Sequence, residues 1–115
     1  MLLCMATREL LNIISAIDSF RLVAGNNPPL QLLQCFLYVA SVGKCKQQVL
    51  QEVTGLSEAS CCRMLKWLGP TKHDGTPGLS LIRTEADPQY WKRNVLYLTK
   101  KGEQLASLLE KNLNE

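Results

Sequence analysis

The 115-residue sequence predicts one mainly α-helical domain carrying a two-stranded β-hairpin, in the order α-α-α-α-β-β-α. Three observations predict it. Apolar residues recur at three- and four-residue spacing over 5–23, 30–42, 47–54, 57–68 and 99–113, the signature of helices with one buried face. Two short stretches, Leu79–Glu85 and Arg93–Leu98, read as strands; the second has alternating Val95, Leu96, Tyr97 and Leu98. The length and the 46% hydrophobic content suit one folded core rather than a disordered chain. Residues 1–115 are therefore read as a single domain.

The first helix carries Leu10, Ile13, Ile14, Ile17 and Phe20 as a wide apolar stripe, with Met1, Leu2 and Leu3 ahead of it. This is more apolar surface than so few helices readily cover. Residues 1–24 are therefore expected to face a second copy in part, through Leu3, Leu10, Ile14 and Ile17, with Leu105 and Leu109 of the last helix. The alternative is a helix packed wholly inside the domain. Gly25-Asn26-Asn27-Pro28-Pro29 breaks the chain; Asn27 is expected to cap the next helix, with the prolines in its first turn. Residues 30–42 are apolar nearly all round and should be central, with Cys35 packing as a small hydrophobe. Gly43 ends that helix, and Lys44 and Lys46 lead into the next stretch.

Residues 46–68 contain QQVLQEVTGLSEASCCRMLK, a helix, a sharp turn at Gly55 and a second helix. A tight turn needs φ > 0, which glycine adopts without steric cost. Leu50, Val53 and Leu56 face inward from the first helix; Cys61, Met64, Leu65 and Leu68 do so from the second. Ser57 is placed to cap the second helix. Ser57, Ala59, Ser60, Cys62, Arg63 and Lys66 remain on or near its outer face, a set of small, hydroxylated and basic residues suited to the DNA major groove. An ordinary helical hairpin is the plain alternative. Beyond Leu68, GPTKHDGTPG is turn-rich and expected to be mobile. The hairpin over 79–98 follows, its connection Ala86–Lys92 opened by Asp87-Pro88. Thr99 then caps a last helix to residue 113, with Leu105, Leu108, Leu109 and Leu113 on one stripe. A hairpin directly after the second helix of such a motif is a wing, so the fold class is a winged helix-turn-helix.

Net charge is +3, unevenly placed. Residues 41–101 hold ten Lys or Arg against five acids, +5, whereas 1–40 balance to zero and 102–115 sum to −2. The positive excess thus surrounds the candidate reading helix, as a polyanionic partner requires. Five cysteines (4, 35, 45, 61, 62) form an odd set without metal-ligand spacing. The apolar start MLLCM is cut short by Thr7-Arg8-Glu9, unlike a secretory signal, and no run of about 18 apolar residues could span a bilayer. A cytoplasmic protein with free thiols is expected. His73, the single histidine, lies in a loop beside Asp74 and reads as solvated. With no Gly-rich phosphate loop, metal cluster or nucleophile–His–acid set, no enzyme, catalytic residue, metal or cofactor is expected.

The stretch SEASCCRMLKWL over 57–68 and, more specifically, DPQYWKRNVLYLT over 87–99 followed by Lys100-Lys101-Gly102 resemble the MarR family of winged-helix regulators. That family's pattern is an Asp-Pro wing tip, a basic pair, an alternating strand and Leu-Thr-x-x-Gly; the similarity spans residues 30–113. Trp91 and Lys92 stand where the pattern has two arginines, with Arg93 beside them, and the 69–78 loop is longer than usual. The family's extra C-terminal dimerisation helix has no counterpart before Glu115. The resemblance implies a homodimeric, sequence-specific regulator of double-stranded DNA, a repressor in sense, with reading helices in successive major grooves and wings on the flanks. It also implies a possible thiol switch at Cys62, as relatives use thiols this way.

Among candidate contacts, Arg63 suits bidentate recognition of guanine. Ser57 and Ser60 suit phosphates, or for Ser57 a cap alone. Lys66, Lys44 and Lys46 offer backbone charge; Glu58 meets a cytosine amino group or points sideways. On the wing, Lys92 and Arg93 suit phosphates or the minor groove. Tyr90 and Trp91 either pack on the sugar-phosphate edge or fold back. Other readings are a winged helix that binds protein, and a replication or partition factor.

Overall fold

A computed structural model describes residues 7–72 and 74–114. Its elements are α1 (Arg8–Ala24), α2 (Leu30–Val42), β1 (Lys44–Lys46), α3 (Gln47–Thr54), α4 (Glu58–Leu68), β2 (Ile82–Glu85), β3 (Val95–Leu98) and α5 (Lys100–Asn114), with a 3-10 turn at Trp91–Arg93. Helix α2 is central, as its all-round apolar sequence predicts: Leu32, Cys35, Phe36 and Val39 are fully buried. Leu50 of α3 and Cys61, Leu65 and Leu68 of α4 close on it, following the three- and four-residue spacing. Leu81, Ile82 and Leu96 enter from the hairpin, and Phe20 from α1. The Phe20 and Phe36 rings lie 5.8 Å apart at 38°.

Helix α1 lies along α5. Amides stitch the seam: Asn112 Nδ2 donates to Ser19 Oγ at 2.6 Å, and Asn12 Nδ2 to the Leu113 carbonyl at 3.3 Å. Phe20 is the single buried residue of α1. Leu10, Leu11, Ile13, Ile14 and Ile17 stay exposed, Leu10 at 61% and Ile14 at 54%. Leu3 lies outside the described residues. Leu105 and Leu109 require correction as contact residues, because they are buried in the chain's own core; Leu108 and Leu113 are the α5 leucines left outside.

The start of α2 also differs. Pro29, extended at φ −60° and ψ 146°, precedes Leu30 in the cap position, and no side chain caps the helix. A residue before proline is disfavoured in the helical region, which works against a helix start at Asn27 or Pro28, and the helix begins only after Pro29.

The sheet has three strands, not two, in the order β1-β3-β2 and antiparallel throughout. Lys44 and Arg83 flank Tyr97; Cys45 and Thr84 flank Leu96. The hairpin strands are shorter than the sequence suggests. Leu79–Leu81 runs instead against the carbonyl end of α4, with Leu79 N donating to the Trp67 carbonyl at 2.8 Å and Leu81 N to that of Leu68 at 2.7 Å. Its leucines are apolar for the core and not for a strand.

The 70–78 segment, expected to be mobile, is hydrogen-bonded in its described part. Lys72 N donates to the Thr76 carbonyl at 2.8 Å, Gly78 N to that of Pro70 at 3.0 Å, and Thr71 bridges Pro77. A Cβ on Gly78 would collide with the Gly69 carbonyl and lie 2.8 Å from that of Trp67. The Leu-Thr-x-x-Gly pattern has a similar cause. Thr99 Oγ1 donates to the Ser80 carbonyl at 2.6 Å and accepts from Gly102 N at 3.0 Å, and a Cβ on Gly102 would collide with the Leu81 carbonyl.

Candidate nucleic-acid interface

The turn between α3 and α4 forms as its residues dictate. Gly55 is left-handed at φ 70°, and Ser57 Oγ accepts from Ser60 N at 3.1 Å. The cap leaves Ser57 committed to holding the helix start. With Cys61, Leu65 and Leu68 inward, helical geometry turns Ala59, Arg63 and Lys66 outward, and all three are exposed. Ser60 and Cys62 are half-buried on the two flanks. Arg63 Nη2 donates to Ser60 Oγ at 3.4 Å, a light tether that leaves the guanidinium available. Glu58 is exposed on the Cys62 flank, one turn before it.

The wing tip bends back toward the helix-turn-helix. Trp91 is half-buried and lines a groove of about 510 Å³ with Gln47, Cys62, Leu65, Lys66 and Ile82. A second groove joins Trp91 and Lys92 to Gln51, Glu52 and Glu58. Trp91 is turned toward α3 and α4, whereas Tyr90 stays outside at 42% exposure. The Lys92 ammonium lies 5.7 Å from the Tyr90 ring centre and 5.6 Å from that of Trp91. Arg93 is exposed but paired with Asp87 at 3.7 Å.

The structure thus gathers Cys62, Lys66 and Trp91 around one side of α4, with Lys92 beyond Trp91 in the groove that Glu52 and Glu58 line. Lys44 and Lys46 lie on edge strand β1 and line neither groove around Trp91; the pairing puts Lys44 on the sheet face of Tyr97 and Arg83. Arg83, not singled out from sequence, lines the groove beside Lys66 and stacks on Tyr97 at 4.2 Å. Gln47 and Asn94 were missed as well. The available signal was Gln47's place three residues before inward Leu50, where helical spacing puts a polar side chain inside.

Burial pushes the Cys35 thiol up to about 11 and Cys61 up to about 12, the latter also raised by neighbouring Cys35, and lifts Cys45 as well. These thiols are core groups, protonated at neutral pH. Among the described residues no group of His, Cys, Asp and Glu is arranged to hold a metal ion, and no helix is long and apolar enough to cross a membrane.

Five helices, a small antiparallel sheet and a hairpin set against the second helix of the turn motif define a winged helix-turn-helix. Among solved structures, that fold is the one found in MarR-type regulators. No protein-family model matches the sequence, and no curated protein matches it. The chain is similar to the crystal structure of MarR, at 22% identity and TM-score 0.60, over 91% of this chain and 75% of that one. It is similar to RV1404 from Mycobacterium tuberculosis at 16% identity and TM-score 0.67, over 91% and 66%. A MarR-like transcriptional regulator from Thermotoga maritima gives 21% and 0.60, over 96% and 77%. At these identities the likeness is one of fold.

Proposed function

We propose that the chain is a sequence-specific, double-stranded-DNA-binding transcriptional regulator, a repressor in sense, without enzymatic activity, working as a cytoplasmic homodimer. The observation that carries this is the exposed row of Ala59, Arg63 and Lys66 on α4. A helix with small and basic outward residues fits the major groove, and basic side chains beside it supply backbone attraction. The reading is supported by the MarR-like fold, since structural neighbours include a probable transcriptional regulator from Pseudomonas aeruginosa and a MarR-like one from Thermotoga maritima. Pairing of two copies is supported by the exposed strip Leu10, Ile13, Ile14 and Ile17 on α1. One single-domain chain of residues 1–115 is the unit of this proposal.

Selection of bound sites from a random duplex pool tests it. A palindromic consensus is expected, with affinity falling linearly in log–log terms as salt is added, because bound lysines and arginines release counterions. Exposed Tyr90 and the groove beside Trp91 favour one second reading, a protein-binding winged helix. That reading gains if no salt-sensitive duplex binding occurs.

A further inference from the structure

Gln47 is the one buried polar side chain among the described residues, 6% exposed, at the first position of the helix-turn-helix. Its side chain is fully engaged. Nε2 donates to Cys62 Sγ on α4 at 3.4 Å, and Oε1 accepts from Asn94 Nδ2 in the wing at 3.3 Å. Gln47 N also donates to the Asn94 carbonyl at 2.9 Å. On the wing side, Asn94 Oδ1 accepts from Asp87 N at 2.8 Å, which closes the tip across its base. The other bonds of the tip are internal: Gln89 N to Asp87 Oδ1, Tyr90 N to the Asp87 carbonyl, Arg93 N to the Tyr90 carbonyl, Asn94 N to the Trp91 carbonyl, and the Arg93–Asp87 ion pair. The tip is therefore a self-closed loop, hydrogen-bonded to α3 at Gln47 and, through Gln47, to α4.

We propose that Gln47 is a positioning residue: its buried amide fixes the wing tip to the reading helix, so that both meet the duplex as one rigid unit. The inference rests on the DNA-binding reading. A buried amide is costly unless satisfied, and its value lies in the single geometry that satisfies it. The strands flanking the tip are four residues each and pair only as far as Glu85 and Val95, so residues 86–94 lie beyond the ladder. An untethered tip would have to be ordered on each binding event, at a cost in affinity. Lys92 depends on this tie, whereas Arg63, on the helix itself, does not.

The test uses the full chain with Gln47→Met, which keeps the side chain's shape and removes both amide bonds. The substitution leaves Asn94 Nδ2 without its partner, but Asn94 is only half-buried and water can reach it, so the melting temperature should fall only modestly. Hydrogen exchange at the amides of 87–94 should accelerate about tenfold or more, while α4 stays protected. On duplex DNA, Lys92→Ala should weaken the parent but have little further effect in the Gln47→Met background. Arg63→Ala should have its full effect in both. Unchanged exchange at 87–94, or Lys92→Ala and Gln47→Met effects that simply multiply, would overturn the proposal. If the parent binds no duplex, the DNA-binding reading fails, and the exchange measurement alone decides whether Gln47 holds the wing. Asn94→Asp, which keeps an acceptor for Asp87 N and loses the Nδ2 donor to Gln47 Oε1, must reproduce the faster exchange at 87–94; it also serves if Gln47→Met does not fold.

Discussion

Replacing Arg63 with alanine isolates recognition from folding. The guanidinium is exposed, and within the chain it makes one long hydrogen bond, 3.4 Å to Ser60 Oγ. Its loss should alter folding stability by no more than about 0.5 kcal/mol, the range of surface substitutions. In the major groove, a bidentate arginine–guanine contact is worth about 1–3 kcal/mol of discrimination. At about 1.4 kcal/mol per decade, that is about fivefold to a little over a hundredfold per half-site. Two copies on a palindrome would lose about 2–6 kcal/mol if the half-sites act independently. The assay is fluorescence anisotropy on the selected duplex and on a scrambled one of equal length, at fixed salt. Affinity for the selected duplex should fall by that factor, while affinity for the scrambled one falls by a few-fold at most. A variant whose ratio of the two affinities equals the parent's would refute the placement of Arg63 on a base edge. So would a drop in melting temperature large enough to explain the loss.

Phe20→Ala should cost about 3–5 kcal/mol in urea unfolding, because it empties a fully buried site against Phe36 and frees α1 from its one core anchor; a cost below about 1 kcal/mol would show that α1 is not docked there. Ile14→Glu should leave the melting temperature nearly unchanged and shift sedimentation toward a monomer, whereas Leu105→Ala should cost about 2–5 kcal/mol of folding stability; monomeric parent protein at working concentration would remove the basis for the first half. Alkaline pH should destabilise the fold. Burial holds Cys35 near 11 and Cys61 near 12 against an ordinary 9.0, so the unfolded chain loses these protons first. Their contribution is intact below pH 9 and is lost as pH rises through 11 to 12, and Cys61→Ala should flatten the fall in urea midpoint over that range.

The helices were legible because their apolar residues repeat at helical spacing over two turns or more, and Gly55 and Ser57 marked the turn between α3 and α4. The outward set Ala59, Arg63 and Lys66 followed from the same spacing. Strand β1 was not legible: Lys44-Cys45-Lys46 is three residues long, and its partner β3 lies fifty residues away. The roles of Leu105 and Leu109 were misread for a related reason. A stripe shows that a helix face is covered, but not whether the cover is the same chain or another. Trp91 sits three residues from the bond between Asn94 and Gln47, a pairing at 47 residues' separation that no local pattern encodes. Asn27 illustrates a local rule overridden by a stronger one, since two prolines in succession work against a helix start at the residue that would otherwise cap.

The close approach of Gly78 to the carbonyls at the end of α4 has a practical side. The base of the 70–78 hairpin is clamped to the reading helix, and no side chain is admitted there. At the turn, Gly75 N bonds back to the Lys72 carbonyl, and a Cβ on Gly75 would meet nothing within 4 Å. Extra sequence at the crest would open the turn that Asp74 Oδ1 closes onto Thr76, while the clamped base at Gly78 lies outside that turn. A fluorophore tag or affinity handle inserted between Asp74 and Gly75 would report on the protein in place, and natural variation in the length of this crest should accumulate there and spare its two feet.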